Sequence, residues 1–284
     1  MWPNNSFKPN PLRGSAYVKR SASTNSNEGT GGHRMNTKKR SGKVALVTGG
    51  SRGLGAAIAH ALADEGADVA LTYVASAEKA EGVARALEAK GARAAPFQSD
   101  QGDPAQARPL IRAVVQRFGR LDILVNNAAV AYQGKTIDDP SIDNAMMDRQ
   151  WAINVHGVIA NIRAAVKVLP EGGRIITIGS GVGTRVGFAG AADYAATKAA
   201  VAGYSRGAAR DLGPRKITVN VIAAGLMDTD MAAEADVAEM LFSTLAIQRF
   251  ARLEEVAAGV VFLASPDASY ITGAVLNIEG GYSA

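Results

Sequence analysis

The chain has 284 residues, of which 47% are hydrophobic and 6% aromatic, and it carries a formal net charge of +5. This composition can bury a substantial core, and no apolar run approaches the roughly 20 residues that a membrane-spanning helix requires. The first 30 residues lack the apolar segment of a secretory signal, so we expect a cytoplasmic protein without membrane contact. Cysteine is absent, and His33, His60 and His156 have no metal-ligand spacing, so we predict no metal site.

The positive charge is concentrated in residues 1–42, which hold eight Lys or Arg residues and one acid, Glu28. The rest of the chain has 23 basic and 25 acidic residues. Because residues 1–42 have almost no periodic apolar pattern, we expect a disordered basic extension before a single domain over residues 43–284. A nucleic-acid-binding arm is an alternative interpretation. The mildly acidic remainder argues against a nucleic-acid partner.

From Lys43 onward, short β-rich runs alternate with longer amphipathic helical segments. This alternation predicts an α/β fold, a single-domain doubly wound parallel sheet (Rossmann fold) of about seven strands with helices on both faces. The strand segments are nearly continuous apolar runs, as expected where both sheet faces are buried. The predicted strands are residues 43–48, 68–73, 93–98, 121–126, 174–179, 217–222 and 274–279.

The first predicted strand runs directly into a glycine-rich turn and a helix, in the sequence KVALVTGGSRGLGAAIAHALADEG. Gly49, Gly53 and Gly55 fit a tight turn whose backbone approaches a phosphate closely. The helix that follows offers N–H groups and partial positive charge to a pyrophosphate. A glycine-rich turn can also merely join a strand to a helix, but this context favours a nucleotide site.

The residues at the end of the second predicted strand indicate whether the site prefers NAD or NADP. A site for NAD usually places a carboxylate there for the ribose 2′-hydroxyl. Here the position is Tyr73, and no carboxylate follows until Glu78, two residues after Ser76. Arg52 in the glycine-rich turn can supply a cation to a 2′-phosphate. These residues favour NADPH/NADP+, although Arg52 can also be read as a solvated turn residue.

Tyr194 and Lys198 lie four positions apart in an alanine-rich helical run, so they share one helix face. A nearby ammonium group is expected to lower the pKa of a phenol, which then exchanges protons with an alcohol or carbonyl oxygen. The alternative is a buried Tyr beside a Lys whose head group reaches solvent. Ser180, fourteen residues upstream at the end of a predicted strand, can hold a substrate oxygen or cap a turn.

Taken in order and spacing, these segments resemble the short-chain dehydrogenase/reductase family from Lys43 to Ala284, most like its 3-oxoacyl-[acyl-carrier-protein] reductase branch. The motifs that carry the resemblance are TGGSRGLG (48–55), NNAA (126–129), Asn154 in WAINVHG, Ser180, YAATK (194–198) and AAGLMDT (223–229).

The resemblance implies a catalytic tetrad. In it Tyr194 is the acid/base, Ser180 positions the carbonyl, Lys198 tunes the Tyr and holds the nicotinamide ribose, and Asn154 orders a proton-relay water. It further implies that the glycine-rich turn binds the cofactor phosphates. Asp100 is expected at the adenine, Asn127 and Ala128 along the ribose, and Thr229 at the carboxamide. The predicted cofactor-binding residues are Gly49, Ser51, Arg52, Gly53, Leu54, Gly55, Tyr73, Ser76, Asp100, Gln101, Asn127, Ala128, Tyr194, Lys198, Gly225 and Thr229.

Two positions depart from the family pattern. Ala129 replaces the glycine of the usual NNAG, which is expected to narrow the site. Ala224 replaces a proline, which is expected to relax the backbone near the nicotinamide. The segment 226–255 resembles the family's substrate-covering region. Its larger apolar residues can line an acyl pocket or serve as ordinary packing, and they are Met227, Met231, Met240, Leu241 and Phe242.

The resemblance implies an NADPH-dependent carbonyl reductase that reduces a ketone to a secondary alcohol. The expected substrate is a ketone or an acyl thioester carried on acyl carrier protein, as in fatty acid biosynthesis. The resemblance also implies a homotetramer. An alternative is a regulatory ligand-binding protein on the same fold. The run EGGRIITIGS and the C-terminal third also resemble short-chain reductase-like proteins proposed to bind a cyclic dinucleotide and influence biofilm dispersal.

Overall fold

The computed structural model describes residues 41–229 and 241–284. One parallel sheet is built in the spatial order β3-β2-β1-β4-β5-β6-β7. This confirms the predicted doubly wound fold of seven strands. A disordered extension was predicted over residues 1–42. Residues 1–40 of that range lie outside the part of the chain that the structure describes. The strands are β1 (Val44–Val47), β2 (Asp68–Tyr73), β3 (Ala94–Gln98), β4 (Ile123–Asn126), β5 (Arg174–Ile178), β6 (Thr218–Ala224) and β7 (Val275–Ile278).

The helices connect successive strands and cover both faces of the sheet. They are α1 (Gly53–Asp64), α2 (Ala77–Glu88), α3 (Ala107–Phe118), α4 (Asn144–Trp151), α5 (Val158–Ala165), α6 (Ala192–Leu212) and α7 (Leu253–Leu263). A π-helical segment, Ala152–Gly157, joins α4 to α5 without a break. Within residues 41–229 and 241–284, no helix has the length and apolar character needed to cross a membrane.

Each strand sends alternate side chains to opposite faces of the sheet, as the extended backbone requires. Ala45 and Val47 of β1 belong to the core beneath α1, α2 and α7. Val44 and Leu46 belong to the core beneath α3, α5 and α6. All four are fully buried, which explains why the strands read as continuous apolar runs.

The strand order reverses at β1, which pairs with β2 on one side and with β4 on the other. A crevice at the carboxyl ends of the strands is expected where the order reverses. The glycine-rich turn after β1 and the segment after β4 lie at this point. The fold therefore brings the predicted nucleotide-binding motifs together.

Strand β6 continues two residues beyond its predicted end. Ala223 pairs with Asn277 and Ala224 with Ile278, and the N–H of Gly225 donates to the carbonyl of Ile278 at 3.0 Å. Ala224 is only 5% exposed. Ala224 is therefore held in the sheet, and the effect on this backbone of alanine in place of proline stays a prediction.

Three of the apolar residues named in segment 226–255 make packing contacts. Leu241 is buried, and Met227 packs against the core beneath α1, α2 and α7. The Phe242 ring meets the Phe250 ring edge to face, with their centroids 4.9 Å apart. The structure thus favours packing over an acyl pocket for these residues. Met231 and Met240 lie outside the described residues.

Candidate active site

The glycine-rich turn after β1 is fixed by side chains from two neighbouring strands. Thr72 Oγ1 at the end of β2 accepts a hydrogen bond from the Gly49 N–H at 3.0 Å. Asn127 Nδ2 donates to the carbonyl oxygens of Thr48 at 2.9 Å and Gly49 at 3.3 Å. Thr48 Oγ1 accepts from the backbone N–H groups of Asn127 and Ala128, each at 3.0 Å. Asn127 and Ala128 therefore lie beside the turn, and their predicted place along the cofactor ribose stays a prediction.

The shape of this turn fits a pyrophosphate. Gly49 has φ +65°, and a Cβ at Gly55 would lie 2.1 Å from the carbonyl oxygen of Gly49. Only glycine permits so close an approach between the turn and the first turn of α1. The N-cap residue of α1 is Arg52, whose side chain makes no capping hydrogen bond, and Leu54 packs its side chain into the core. A phosphate at the α1 N-terminus would meet backbone N–H groups.

Tyr73 and Ser76, which are predicted to lie near the cofactor ribose, stand at the carboxyl end of β2. Tyr73 ends the strand, and Ser76 is the N-cap residue of α2 without a capping side-chain bond. Val74 between them is 53% exposed, and Arg52 is also exposed. No acidic side chain lies between Tyr73 and Ser76 to repel an anion.

Asp100 follows β3 and is held by α4. Arg149 Nη2 lies 2.7 Å from each carboxylate oxygen of Asp100, and the Gly102 N–H donates to Asp100 Oδ1 at 2.8 Å. Partial burial acts to raise the pKa of Asp100, but the hydrogen bonds from Arg149 and Gly102 outweigh it and hold the pKa below its usual value. Asp100 is thus a charged carboxylate, oriented by Arg149, at the position predicted to meet the adenine.

Gln101 differs from its prediction, because its side chain points into the protein. Its Nε2 donates to the carbonyl oxygens of Ala128 at 2.7 Å and Ile153 at 2.9 Å. Its Oε1 accepts from Asn161 Nδ2 at 3.2 Å. The Gln101 side chain therefore bonds to residues of the protein interior, and its orientation does not support the predicted contact with the cofactor.

Tyr194 and Lys198 do share one face of α6, near the end of β5. Lys198 Nζ lies 5.5 Å from the centroid of the Tyr194 ring and donates to the carbonyl of Ile178 at 3.1 Å. Ser180 makes a side-chain hydrogen bond with Tyr194, and Ser180 Oγ also accepts a long bond from the Val182 N–H at 3.4 Å. The structure brings Ser180, Tyr194 and Lys198 into one cluster.

The protonation of this pair differs from the sequence expectation. Burial raises the pKa of Tyr194 to about 12, and the Ser180 hydrogen bond opposes that shift without cancelling it. Burial also lowers the pKa of Lys198 to about 8. The expected lowering of the Tyr194 pKa by Lys198 was wrong, because desolvation of the phenol dominates. At pH 7 the pair consists of a neutral phenol and a charged ammonium, which is the state of a proton donor.

Asn154 lies in the π-helical segment and is fixed on two sides. Its side chain exchanges two hydrogen bonds with the backbone of Val130, at 2.8 and 3.0 Å, and its Nδ2 lies 3.2 Å from Thr197 Oγ1. Thr197 Oγ1 donates to the carbonyl of Tyr194 at 2.7 Å. Sequence reasoning missed Thr197, although a polar residue buried within an alanine-rich helix was a usable signal.

Gly225 and Thr229, predicted at the nicotinamide end, follow β6. A Cβ at Gly225 would lie 2.7 Å from the Cα of Glu279, so the chain after β6 runs directly over the end of β7. Thr229 Cγ2 lies 3.8 Å from the position that a Cβ of Gly53 would take. Thr229 therefore lies against the glycine-rich turn. Ser51 is a partly exposed residue of that turn.

A cavity of about 270 Å³ lies between the segment after β4, the start of α4 and the start of α6. The Gly134 N–H donates to the carbonyl of Gly190 at 2.8 Å and ties two of these segments together. Lys135 also lines the cavity, and its Nζ donates to the carbonyl of Ser141 at 2.7 Å. The apolar part of the lining consists mainly of Ala131, Ile142, Met146, Met147 and Ala192.

Comparison with known proteins identifies the family. The family model described as Enoyl-(Acyl carrier protein) reductase matches residues 49–283. The 3-oxoacyl-[acyl-carrier-protein] reductase FabG of Staphylococcus aureus is 39% identical over 250 residues, covering 84% of this chain and 97% of that protein. The chain belongs to the short-chain dehydrogenase/reductase family. As a member of this family it is an NAD(P)-dependent oxidoreductase.

Two further relatives of this short-chain dehydrogenase/reductase illustrate the range of the family. A short-chain dehydrogenase from Burkholderia cenocepacia J2315, solved in complex with NADP, is 47% identical with a TM-score of 0.82 and covers 87% of this chain and all of its own. The Cyclic-di-GMP-binding biofilm dispersal mediator protein of Escherichia coli (strain K12) is 42% identical over 244 residues, covering 86% of this chain and 98% of that protein.

Proposed function

We propose that the protein reduces a ketone to a secondary alcohol with NADPH as the cofactor and Tyr194 as the proton donor. The observation that carries this proposal is the cluster of Ser180, Tyr194 and Lys198. Within it a neutral phenol with a pKa of about 12 lies beside an ammonium group and hydrogen-bonds to a serine. A phenol that is protonated at neutral pH holds a proton that it can give to a forming alkoxide, and the ammonium group beside it stabilises the phenolate that is left.

Each residue has a distinct part in this proposed mechanism. The bound nicotinamide supplies the hydride, and the protein supplies orientation and the proton. The Ser180 hydroxyl holds the carbonyl oxygen beside the Tyr194 phenol, which donates its proton to that oxygen as the alcohol forms. The Lys198 ammonium stabilises the phenolate that is left. Asn154, fixed to Val130 and Thr197, orders the water that returns a proton to Tyr194.

Several features support NADPH over NADH. The end of β2 lacks the carboxylate that would bind a free ribose 2′-hydroxyl and repel a 2′-phosphate. Arg52 is exposed in the neighbouring turn and provides a positive charge there. The similar dehydrogenase from Burkholderia cenocepacia was solved with NADP.

The substrate we propose is a ketone that carries an apolar group, such as a 3-oxoacyl thioester. The cavity beside α6 supports this choice because Met146, Met147 and Ile142 line it, and Met adapts to flexible apolar ligands. It adjoins the catalytic helix, since Ala192 is the first residue of α6 and lies two positions before Tyr194. Delivery on acyl carrier protein, a role in fatty acid biosynthesis, a homotetramer and a cytoplasmic location stay predictions.

Replacing Tyr194 with Phe tests the proposed reaction. Consumption of NADPH and of NADH is measured side by side over a panel of ketones, from small diketones to 3-oxoacyl thioesters. Tyr194→Phe should lower kcat by about 10²-fold or more, because the proton donor is lost, while the dissociation constant for NADPH changes little. Retained turnover in Tyr194→Phe would show that another group donates the proton.

A second candidate is the binding of a cyclic dinucleotide, which is supported by the similar Escherichia coli protein. Such a ligand carries two phosphates, and proteins usually meet phosphates with arginine or lysine groups. In the cavity beside α6 the basic side chain is Lys135, which already donates to Ser141. Calorimetric titration with cyclic di-GMP, with and without NADPH, separates this candidate from the reductase. Submicromolar binding without any ketone turnover would favour the binding protein.

A further inference from the structure

The segment Asp100–Gly102 lies along one face of the continuous helix formed by α4, the π-helical segment and α5. The contacts come from helix residues at four-residue intervals, which is the spacing of a single helix face. Arg149 bonds to Asp100, and Ile153 and Asn161 bond to the Gln101 side chain. The fourth contact is steric, because a Cβ at Gly157 would lie 1.9 Å from the carbonyl oxygen of Gln101. The helix residues are Arg149, Ile153, Gly157 and Asn161.

Gln101 makes the central contact of this interface. Its side chain bridges the carbonyl of Ala128, in the segment that also braces the glycine-rich turn, and the carbonyl of Ile153, directly before Asn154. Asn161 fixes the orientation of the Gln101 amide by donating to its oxygen. With 9% of its surface exposed, Gln101 is a buried polar side chain whose bonds are made to other elements.

The Gln101 side chain bonds to the π-helical segment that contains Asn154. A π turn bonds each N–H one residue further back than an α-helix does, so it is rare, and it usually occurs where it serves a functional residue. Here the widened turn contains Asn154. The Gln101 amide adds a hydrogen bond to the Ile153 carbonyl within this turn, and Gly157 allows the segment after β3 to pack directly on it. Removing the amide would leave two carbonyls without this partner.

We propose that Gln101 is a positioning residue for Asn154, holding the π turn in place so that the Asn154 side chain faces Val130 and Thr197. Through Ala128, the same side chain links this turn to the glycine-rich turn expected to bind the cofactor. Gln101 acts on the reaction through Asn154 and does not contact the cofactor with its side chain. The kinetic part of this proposal rests on the proposed ketone reduction.

The test uses Gln101→Met, which keeps the length of the side chain and removes both amide bonds. The matched control is Gln106→Met in the same segment, because Gln106 bonds to Asp100 and Asp103 and not to the helix. Gln101→Met should lower kcat about tenfold with the KM for NADPH changed less than about twofold. Gln106→Met should leave kcat within about twofold. A raised KM for NADPH with unchanged kcat in Gln101→Met would overturn the proposal in favour of a cofactor contact.

A double-mutant cycle with Asn154→Ala tests whether Gln101 acts through Asn154. If it does, Gln101→Met lowers kcat by less than about twofold once Asn154 has been replaced. The same fold-loss in both backgrounds would contradict the proposal. If Gln101→Met fails to fold, Gln101→Leu serves in its place, since leucine is a compact apolar residue and its side chain has no N–H to donate.

Amide hydrogen exchange provides a readout that needs no turnover. In Gln101→Met, exchange at backbone N–H groups of residues 153–158 should quicken about tenfold, while Gln106→Met leaves these residues unchanged. Equal exchange in wild type and Gln101→Met would overturn the proposal whether or not a ketone is reduced. If the wild-type protein reduces no ketone but exchange quickens as expected, the proposed reaction fails and the structural role of Gln101 stands.

Discussion

Lys198 is 4% exposed, and its ammonium group lies beside the Tyr194 ring and donates to the carbonyl of Ile178. Removing a charge from water is costly, and the lowered pKa of Lys198, about 8, expresses that cost. The ketone reduction proposed above needs this charge beside Tyr194. This residue therefore contributes to function at the expense of stability.

Lys198→Met should make the protein more stable at pH 7, by roughly 1–3 kcal/mol, because no charge is then buried. In the wild type, Lys198 has a pKa of about 8 folded and 10.5 unfolded, so between these values the unfolded chain binds more protons. Its contribution to stability therefore rises with pH across this window, and Lys198→Met should lose that rise. Tyr194, with its raised pKa, contributes the opposite slope above pH 10 in both proteins.

Urea unfolding at pH 7, 8.5 and 10 measures this difference. The control is Lys90→Met, since Lys90 forms an exposed ion pair with Asp64 and its removal should change stability by less than about 0.5 kcal/mol. A Lys198→Met protein with the pH dependence of the wild type would contradict the assignment of a buried charge.

At the scale of elements, the ends of β1, β2 and β4 are joined by two buried threonine hydroxyls. Thr48 Oγ1 accepts from two backbone N–H groups of the segment after β4, whereas Thr72 Oγ1 accepts from one, that of Gly49. Both threonines are almost completely buried, at 1% and 3% exposure. The strand ends at the point of strand reversal are thus connected by side chains as well as by sheet pairing.

Thr48→Val should destabilise the protein by about 2–4 kcal/mol, because two backbone N–H groups lose their acceptor. Thr72→Val should cost about half as much, because it leaves one N–H group without its acceptor. Valine keeps the shape of threonine, so the comparison isolates the hydroxyl acceptor. Thermal and urea unfolding of the two variants measures the ratio. Equal losses of unfolding free energy in the two variants would mean that the number of N–H groups bonded by each hydroxyl does not set its contribution to stability.

Elements were predicted well where a local pattern determines them. The seven predicted strands match the observed ones within two residues at each end, since buried parallel strands are continuous apolar runs. The π turn around Asn154 was not predicted, because it depends on contacts with Val130, Thr197 and Gln101 from other parts of the chain. Local sequence carries no signal for such contacts.

At the scale of the whole molecule, Tyr282, near the C-terminal end of the sequence, packs against residues 181–187, the segment that follows Ser180. Tyr282 is 5% exposed, and its hydroxyl accepts from the Gly187 N–H at 2.7 Å. Arg185 stacks on the Tyr282 ring, 5.3 Å from its centroid, and donates to the Tyr282 carbonyl. A Cβ at Gly181 would lie 2.9 Å from the ring, so the aromatic side chain is packed directly against this segment.

Tyr282→Ala should therefore cost about 3–5 kcal/mol of stability, whereas Tyr282→Phe, which loses only the hydroxyl bond to an exposed Gly187, should cost about 1 kcal/mol. Denaturant unfolding of both variants gives these values. Tyr270→Ala is the control, because Tyr270 is fully exposed and its removal should change stability by less than about 0.5 kcal/mol. A small loss in Tyr282→Ala would show that the C-terminal residues do not support this segment.

The amino-acid sequence by itself determined the fold class and the strand positions, because apolar periodicity is a local property of the chain. The resemblance of its motifs to a known family implied the catalytic tetrad. Only the tertiary structure decided the direction of the Tyr194 pKa, the orientation of Gln101 and the pairing of Ala224 in the sheet. Each of these depends on desolvation or on hydrogen bonds between residues distant in the chain. Burial and long-range contact are created by folding, and for that reason no local pattern expresses them.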